Sequence, residues 1–219
     1  MADATNIHWH EGYLSRNQRF RALGAKGATV WFTGLPSSGK STTAALVEYA
    51  LVMAGVRAYR LDGDNLRHGL NKNLGFSHED RTENIRRVGE LARLFADSGC
   101  IALTAFISPY RIDRQTAREI HRLGGLRFFE VYAAAPLEVC EQRDAKGLYG
   151  RARAGLLPEF TGVSAPYEPP PEPDLMLPTH EWTPQRCARE VIDLLVRNEM
   201  FTERSFDRDA LCLPESPDP

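Results

Sequence analysis

Apolar and polar positions along this chain follow two rhythms, one typical of buried strands and one typical of helices. Short apolar runs predict strands at Thr29–Thr33, Val56–Leu61, Ile101–Ile107, Phe128–Ala133 and, as a short fifth strand, Leu175–Leu177. Helical spacing or a start signal predicts helices from Thr42, over Glu79–Ala96, Arg111–Arg122 and Pro136–Arg143, and from Pro184 to about Asn198. This alternation predicts a parallel sheet covered by helices on both faces.

The helix predicted over Glu79–Ala96 has the clearest pattern of the set. Its apolar residues recur at helical spacing, at Ile85, Val88, Leu91, Ala92 and Phe95. Ser77 precedes it as a candidate N-cap, and the acidic Glu79 and Asp80 fall in the first turn, where negative charge is favourable.

The segment between the first strand and the first helix carries the strongest chemical signal. Residues Gly34 to Ser41 fit the pattern G-x-x-x-x-G-K-[ST], and a strand before and a helix after are the context that pattern requires. Such a loop turns successive N–H groups toward a phosphate, and the helix N-terminus adds its positive end. Lys40 is expected at the β- and γ-phosphates and Ser41 on Mg²⁺. The sequence therefore predicts a nucleoside triphosphate site.

Length and composition narrow the class without choosing the reaction. The 219 residues suffice for one α/β domain, and 27 basic against 29 acidic residues give no excess of positive charge for nucleic acid. The sequence shows no export signal and no apolar stretch of membrane-spanning length, which predicts a cytoplasmic protein. The four cysteines are scattered without a C-x-x-C pair, so we expect no zinc, and we expect no haem.

Polar residues that follow the predicted strands are the next candidates, because ligands gather at the carboxyl ends of parallel strands. Asp62 and Asp64 follow the second strand, and Ser108 follows the third. Two carboxylates two residues apart suit Mg²⁺ and a general base. An ordinary turn with a helix cap explains the same residues, but their coincidence with the phosphate loop favours the functional interpretation.

Basic residues crowd the segment between the second strand and the long helix. Arg67, Arg81, Arg86 and Arg87 lie there beside three asparagines, at 71, 73 and 84, and the planar guanidinium fork suits phosphate and sulfate oxygens. A solvated helix face explains at least one of Arg86 and Arg87 equally well. Phe76 is either a core residue or a stacking partner for a nucleobase.

An ordered set of short motifs resembles one family, the adenylyl-sulfate (adenosine 5′-phosphosulfate) kinases, over roughly residues 5–200. Besides the phosphate loop, the matching stretches are residues 6–10, Asp62–Asn65, Gly69–Asn71, Leu74–Ser77, Asp80–Arg87, Phe106–Tyr110, Lys146–Tyr149, Phe160–Gly162 and Pro166–Glu168. The family reaction converts ATP and adenylyl sulfate to ADP and 3′-phosphoadenylyl sulfate, the activated sulfate donor. The resemblance implies a P-loop NTPase three-layer α/β sandwich with about five mostly parallel strands.

The resemblance also implies an organisation for the chain. It implies a kinase domain over residues 1–200 with a mobile lid at about 144–162, a tail over 201–219 of unknown role, Mg²⁺ with ATP, and a homodimer. Nucleic acid and membrane are not expected as partners.

Roles for single residues follow from the resemblance. The catalytic residues would be Asp64 at the acceptor 3′-hydroxyl, Lys40, and Ser108, whose family counterpart has been assigned as a phosphoenzyme intermediate in some members, although direct transfer needs no covalent step. ATP would contact the loop residues Gly34, Leu35, Pro36, Ser37, Ser38, Gly39, Lys40, Ser41 and Thr42, and Arg143. The acceptor would contact Asp64, Arg67, Phe76, Arg81, Asn84, Ile107, Ser108, Lys146, Leu148 and Phe160, with Phe76 and Phe160 as an adenine sandwich. Ser41 and Asp62 would hold or neighbour the metal.

Two other classes remain open on the residues alone. One is another small-molecule kinase on the same scaffold, for nucleoside monophosphates or gluconate. The other is a non-catalytic regulator that uses the phosphate loop as a switch. A regulator would tolerate the loss of Asp64, Arg81 and Lys146, but all three are present.

Overall fold

A five-stranded parallel sheet forms the centre of the fold in the computed structural model, which describes residues 7–8, 10, 12–144, 146–201 and 213–214. The strands lie in the order β2-β3-β1-β4-β5, and each neighbouring pair is parallel. Their bounds are β1 Ala28–Thr33, β2 Ala58–Asp62, β3 Ile101–Ala105, β4 Arg127–Ala133 and β5 Leu175–Leu177. The predicted parallel α/β fold is confirmed.

Eight helices connect and flank these strands within the described residues. They are α1 Arg16–Leu23, α2 Lys40–Met53, α3 Gly63–Arg67, α4 His78–Asp97, α5 Arg111–Leu123, α6 Leu137–Arg143, α7 Leu148–Arg153 and α8 Pro184–Arg197. The five predicted helices match α2, α4, α5, α6 and α8 to within about two residues, the uncertainty that helix ends normally carry. The expected cap of α4 is present, since the Ser77 side chain accepts a hydrogen bond from Asp80 N.

Three helices and two strand ends differ from the prediction, and one of these ends is the start of β2, at Ala58 rather than Val56. Helix α1 has no buried residue, so it has no apolar period to detect, and α3 is only five residues long. Helix α7 lies inside the segment predicted as an irregular lid. Strand β3 ends at Ala105 rather than Ile107, because the chain then turns into the site and reaches a left-handed φ of 39° at Ser108.

The alternation of side chains along β1 divides the core into two layers. Val30 and Phe32 pack with α2 and α8, whereas Trp31 packs with α4 and α5 on the other face. All three side chains are completely buried. The central strand therefore holds helices on both faces and has its carboxyl end, where the phosphate loop begins, at the middle of the sheet.

The chain passes to one side of β1 for β2 and β3 and crosses to its other side for β4 and β5. Such a switch point opens a crevice at the carboxyl ends of the strands, where open α/β sheets bind ligands. Of the predicted tail, Phe201 and Leu213 pack against the core, and Pro214 O accepts a hydrogen bond from Gln185. Residues 202–212 and 215–219 lie outside the described part, so the domain boundary at 200 stays a prediction.

Candidate active site

A cleft of about 890 Å³ lies at the carboxyl ends of the strands, where the sequence predicted a site. Ligand pockets commonly measure about 300–1,000 Å³, so this cleft is at the large end of the range. It brings together most of the predicted residues, namely Pro36, Ser37, Gly39, Lys40, Ser41, Thr42, Asp62, Asp64, Arg67, Phe76, Arg81, Asn84, Ile107, Ser108, Arg143, Lys146 and Leu148.

The phosphate loop owes its curl to two glycines. Gly34 has φ of 152°, and a Cβ there would lie 2.7 Å from Ala133 O; Gly39 has φ of 90°. The first intrahelical bond of α2 runs from Thr43 N to Gly39 O, so the amides of residues 40–42 precede the helical ladder. These amides, together with the positive end of the helix, form an anion site.

Lys40 is folded back onto its own loop. Its Nζ donates hydrogen bonds to Gly34 O at 3.0 Å and Leu35 O at 2.6 Å, and it lies 3.3 Å from Ser38 Oγ. Gly34, Leu35 and Ser38 thus form the back of the loop and hold the lysine rather than line the cleft. Burial lowers the pKa of Lys40 to about 8, because a charged amine loses its hydration there.

The two carboxylates after β2 play different parts. Asp62 is the N-cap of α3: one oxygen accepts a hydrogen bond from Asp64 N at 3.1 Å, and the other pairs with Arg60 at 3.1 Å. The helix-cap interpretation therefore describes Asp62 correctly, and Asp62 also lines the cleft. Asp64 is the second residue of α3, its side chain is 66% exposed, and it forms an ion pair with Lys146 of the predicted lid.

A cationic wall forms the opposite end of the cleft. The Arg67 guanidinium lies over the Phe76 ring at 4.3 Å, and Arg81 lies 5.9 Å from the same ring. Burial lowers the pKa of Arg67, and the positive charge of the neighbouring Arg81 lowers it further, while the carboxylates of Asp64 and Asp80 act in the opposite direction. Phe76 is 62% exposed, so it is available for stacking rather than built into the core.

Arg86 and Arg87 lie outside this wall. Both pair with Glu83 on α4, Arg86 at 2.6 Å and Arg87 at 2.8 Å, and hydrogen bonds from the two guanidinium groups lower the pKa of Glu83 to about 2. The helix-face interpretation holds for both arginines.

Ser108 is held from several sides at the turn after β3. Trp31 Nε1 donates to its Oγ at 3.1 Å, and the buried Arg114 donates to its carbonyl oxygen at 2.6 Å. Only 2% of Ser108 is exposed. These contacts stabilise a backbone conformation that is uncommon for a residue with a Cβ.

The predicted lid is docked over the cleft and is partly helical. Tyr149 of α7 is 2% exposed and donates a hydrogen bond to Pro36 O of the phosphate loop at 3.0 Å. Arg81 donates to Glu159 O at 2.6 Å and to Thr161 Oγ1 at 3.0 Å at the far end of the segment. The lid thus contacts both ends of the cleft.

Phe160 does not reach the cleft with Phe76. It packs edge-on against Tyr149 at 5.1 Å, in a small apolar cluster with Leu35, Leu137 and Val163. The structure therefore does not bring the expected adenine sandwich together; Phe160 anchors the base of the lid because its neighbours there are apolar.

Sequence reasoning missed a wall contributed by the segment after β5. Thr179, His180, Glu181 and Trp182 line the cleft, and Arg143 donates to Thr179 O at 2.6 Å. The rule that ligands gather after parallel strands applies to this segment as well, and it would have pointed to these residues. Arg60 also lines the cleft and was missed, but it lies inside β2, so the rule for strand ends does not point to it.

The fold and the cleft define a P-loop kinase, and comparison with known proteins gives the family. The profile described as Adenylylsulphate kinase matches residues 26–178. An adenylyl-sulfate kinase of Saccharomyces bayanus is 52% identical over 198 residues, covering 90% of this chain and 98% of the relative. An adenylyl-sulfate kinase of Staphylococcus haemolyticus is 50% identical over 201 residues, covering 92% of this chain and 100% of the relative.

A solved structure supports the same assignment. The Mycobacterium tuberculosis APS kinase in complex with AMPPNP and APS superposes with a TM-score of 0.77 at 52% identity, covering 78% of this chain and 99% of that one. The chain belongs to the adenylyl-sulfate kinase family, and it is therefore an enzyme, a kinase of sulfate activation. No helix in the described residues has the length and apolarity needed to cross a membrane.

Proposed function

We propose that this chain transfers the γ-phosphoryl group of ATP to the 3′-hydroxyl of adenylyl sulfate with Asp64 as the residue that orients the hydroxyl. The observation that carries the proposal is the position of Asp64 in one cleft, between the phosphate loop and the cationic wall of Arg67 and Arg81. Phosphoryl transfer asks a protein mainly to align the hydroxyl and neutralise charge. The Asp64 side chain lines the cleft, where its carboxylate can accept a hydrogen bond from the acceptor hydroxyl.

The phosphate loop is the donor half of this arrangement. Lys40 gives up its hydrogen bonds to the loop carbonyls and donates to phosphate oxygens instead. The backbone amides of residues 40–42, at the start of α2, bind further phosphate oxygens. Arg143 and the segment after β5 contact the ATP adenosine.

The donor set suits Mg²⁺, which prefers hard oxygen ligands. Ser41 would hold it and Asp62 would lie in its outer shell, because both Asp62 oxygens are already engaged by Arg60 and Asp64 N. When bound with ATP, Mg²⁺ neutralises the charge that develops on the transferred group.

The cationic wall is the acceptor half. Arg67, Arg81 and Asn84 bind the phosphosulfate, and Phe76 stacks on the acceptor adenine. AMP lacks the sulfate and leaves part of these groups unpaired, which is the strongest discrimination a polar site offers.

Ile107 and Ser108 form the wall beside the hydroxyl. The Trp31 hydrogen bond and the burial of Ser108 support a structural part for this serine over a covalent one. Lys146 and Leu148 close the cleft, and Phe160 holds the lid base.

The localisation, assembly state and partners proposed for the enzyme rest on its family resemblance. We propose a cytoplasmic homodimer that needs no nucleic acid and no membrane. Light scattering of the purified enzyme tests the dimer, because a dimer has twice the 24.6 kDa mass of one chain.

Replacing Asp64 by Asn tests the proposed chemistry. A positioned acid–base group contributes about 10²–10⁴-fold, so turnover of adenylyl sulfate should fall by that factor while KM for ATP changes little. ADP release is measured with adenylyl sulfate, AMP and gluconate as acceptors. Glu119→Gln is the matched control, because this exposed carboxylate on α5 pairs with Arg122 on the surface. Near-normal turnover in Asp64→Asn, or preference for another acceptor, would refute the assignment.

A further inference from the structure

A buried pair of asparagines lies behind the cationic wall. Asn71 is 0% exposed and lies in the turn after α3. Its backbone N–H donates to Leu66 O at 2.9 Å, and its backbone carbonyl accepts from Leu74 N at 3.1 Å. Its side-chain Nδ2 donates to Asn84 Oδ1 at 2.9 Å. The backbone bonds fix the position of the Asn71 main chain, and the bond to Asn84 holds its buried side chain.

Asn84 is the member of the pair that reaches the cleft. It lies on α4 one turn beyond Arg81, is 6% exposed and lines the cleft. Its oxygen is occupied by Asn71, and among the described residues its Nδ2 has no hydrogen-bond partner. Asn84 therefore presents N–H groups to the ligand.

Turning both amides around would give a pair of the same shape and the opposite polarity. Asn84 would then donate to Asn71 and present its carbonyl oxygen to the cleft, and the Asn71 N–H groups would be buried without an acceptor. In the observed arrangement it is the Asn71 oxygen that is buried without a partner. Unpaired buried N–H groups are the rarer of the two, which favours the observed polarity.

We infer that Asn71 is a positioning residue that fixes the polarity of the Asn84 amide, so that Asn84 offers a donor to the anionic phosphosulfate. The inference rests on the proposed acceptor site. An anion can use only donors, and Arg67, Arg81 and Asn84 then converge on it with N–H groups alone. Asn71 acts through Asn84 and does not touch the substrate.

Replacing Asn71 by Asp, assayed at a pH at which the buried carboxyl is ionised, forces the opposite polarity, because an ionised carboxylate only accepts. Asn84 must then donate to residue 71 and turn its oxygen toward the substrate. Losing a hydrogen bond to a charged group corresponds to at least a tenfold rise in KM for adenylyl sulfate, with kcat and KM for ATP nearly unchanged. Asn71→Leu is the matched control, since it removes the hydrogen bond to Asn84 without imposing an orientation on the Asn84 amide. Two equally populated orientations reduce the apparent affinity by only about twofold.

A double-mutant cycle separates this role from others. In an Asn84→Ala background, Asn71→Asp should add less than about twofold to KM for adenylyl sulfate, because contacts that act through one residue are not additive. An undiminished effect in that background would mean direct repulsion by the new charge and would overturn the inference. Equal effects of Asp and Leu would overturn it as well, since a structural role does not depend on polarity.

Two further measurements complete the test. If Asn84→Ala leaves KM for adenylyl sulfate unchanged, the proposed acceptor site is wrong and the inference falls with it; if that KM rises and Asn71→Asp has no effect, only the inference fails. Side-chain amide NMR of the unaltered enzyme needs no variant to fold. Adenylyl sulfate should shift the Asn84 NH₂ signals, and the Asn71 NH₂ should be protected from exchange. Protection of Asn84 instead would overturn the polarity assignment.

Discussion

Arg81 belongs to the proposed acceptor site and also contacts the predicted lid, so its replacement by Ala gives a sharp test of both proposals. A guanidinium has five N–H donors. Three are engaged within the protein, by Phe76 O at 2.8 Å from Nε, by Thr161 Oγ1 from Nη1 and by Glu159 O from Nη2. Within the described residues each terminal nitrogen makes one such contact and keeps one N–H, which a phosphate or sulfate oxygen can accept.

The magnitude follows from the kind of contact. A hydrogen bond to a charged group contributes roughly 1.5–3 kcal/mol net, so Arg81→Ala should weaken adenylyl sulfate binding by about tenfold to a hundredfold. AMP should lose less, and the preference for adenylyl sulfate over AMP should fall. The lost contacts to the lid are partly exposed and cost only about 1 kcal/mol, which lowers Tm by about 2–4 °C in a chain of this size.

Calorimetric titration of adenylyl sulfate measures the affinity, and Arg86→Ala is the control on the same helix. Arg86 is 52% exposed and pairs with Glu83, so its loss removes the same charge without touching the cleft. We expect its affinity for adenylyl sulfate to stay within about twofold of the unaltered enzyme. Unchanged affinity in Arg81→Ala would refute the proposed pocket. Equal losses in the two variants would refute the specific contact and leave a general effect of positive charge.

Two other predictions concern the phosphate loop and the lid. Because burial lowers the pKa of Lys40 to about 8, and a bound triphosphate favours the charged amine, ATP binding at pH 8 should take up about half a proton, falling toward zero at pH 6.5. Calorimetry in buffers of different ionisation enthalpy measures this uptake, and its absence at pH 8 would contradict the lysine's role. Trypsin should cut the free enzyme after the exposed Arg151 and Arg153, and ADP with adenylyl sulfate should protect both sites more than ADP alone; equal cleavage in all three states would argue against a lid.

Local sequence signals were sufficient for much of the fold and half of the site. Apolar periods located the five strands and the helices that pack on them, because burial repeats with the period of the element. Glycine spacing located the phosphate loop, and the rule for strand ends placed Asp62, Asp64 and Ser108 at the cleft.

What the sequence did not predict depends on contacts between distant segments. The Tyr149 hydroxyl reaches Pro36 across 113 positions, and Arg81 reaches Thr161 across 80. No local period encodes such pairs. Phe160 was assigned to the cleft from its motif, but packing against Tyr149 decides its position. Helix α7 was missed because it is only six residues long, and its two buried residues, Tyr149 and Ala152, are too few to give a helical period.

Three contacts hold the lid, and each involves a residue to which the proposed function assigns a role. Lys146 pairs with Asp64, Tyr149 holds the phosphate loop at Pro36, and Arg81 holds the far end. The proposed function places the Asp64 carboxylate against the acceptor hydroxyl, so its ion pair with Lys146 would have to open when the substrates bind. The exchange is inexpensive, because both partners are about two-thirds exposed and such pairs contribute at most about 1 kcal/mol. The anionic ATP phosphates offer Lys146 a stronger partner than one exposed carboxylate. On the proposed function, ATP binding would free Asp64 for the acceptor, and the docked lid would keep Asp64 paired with Lys146 until the donor is bound.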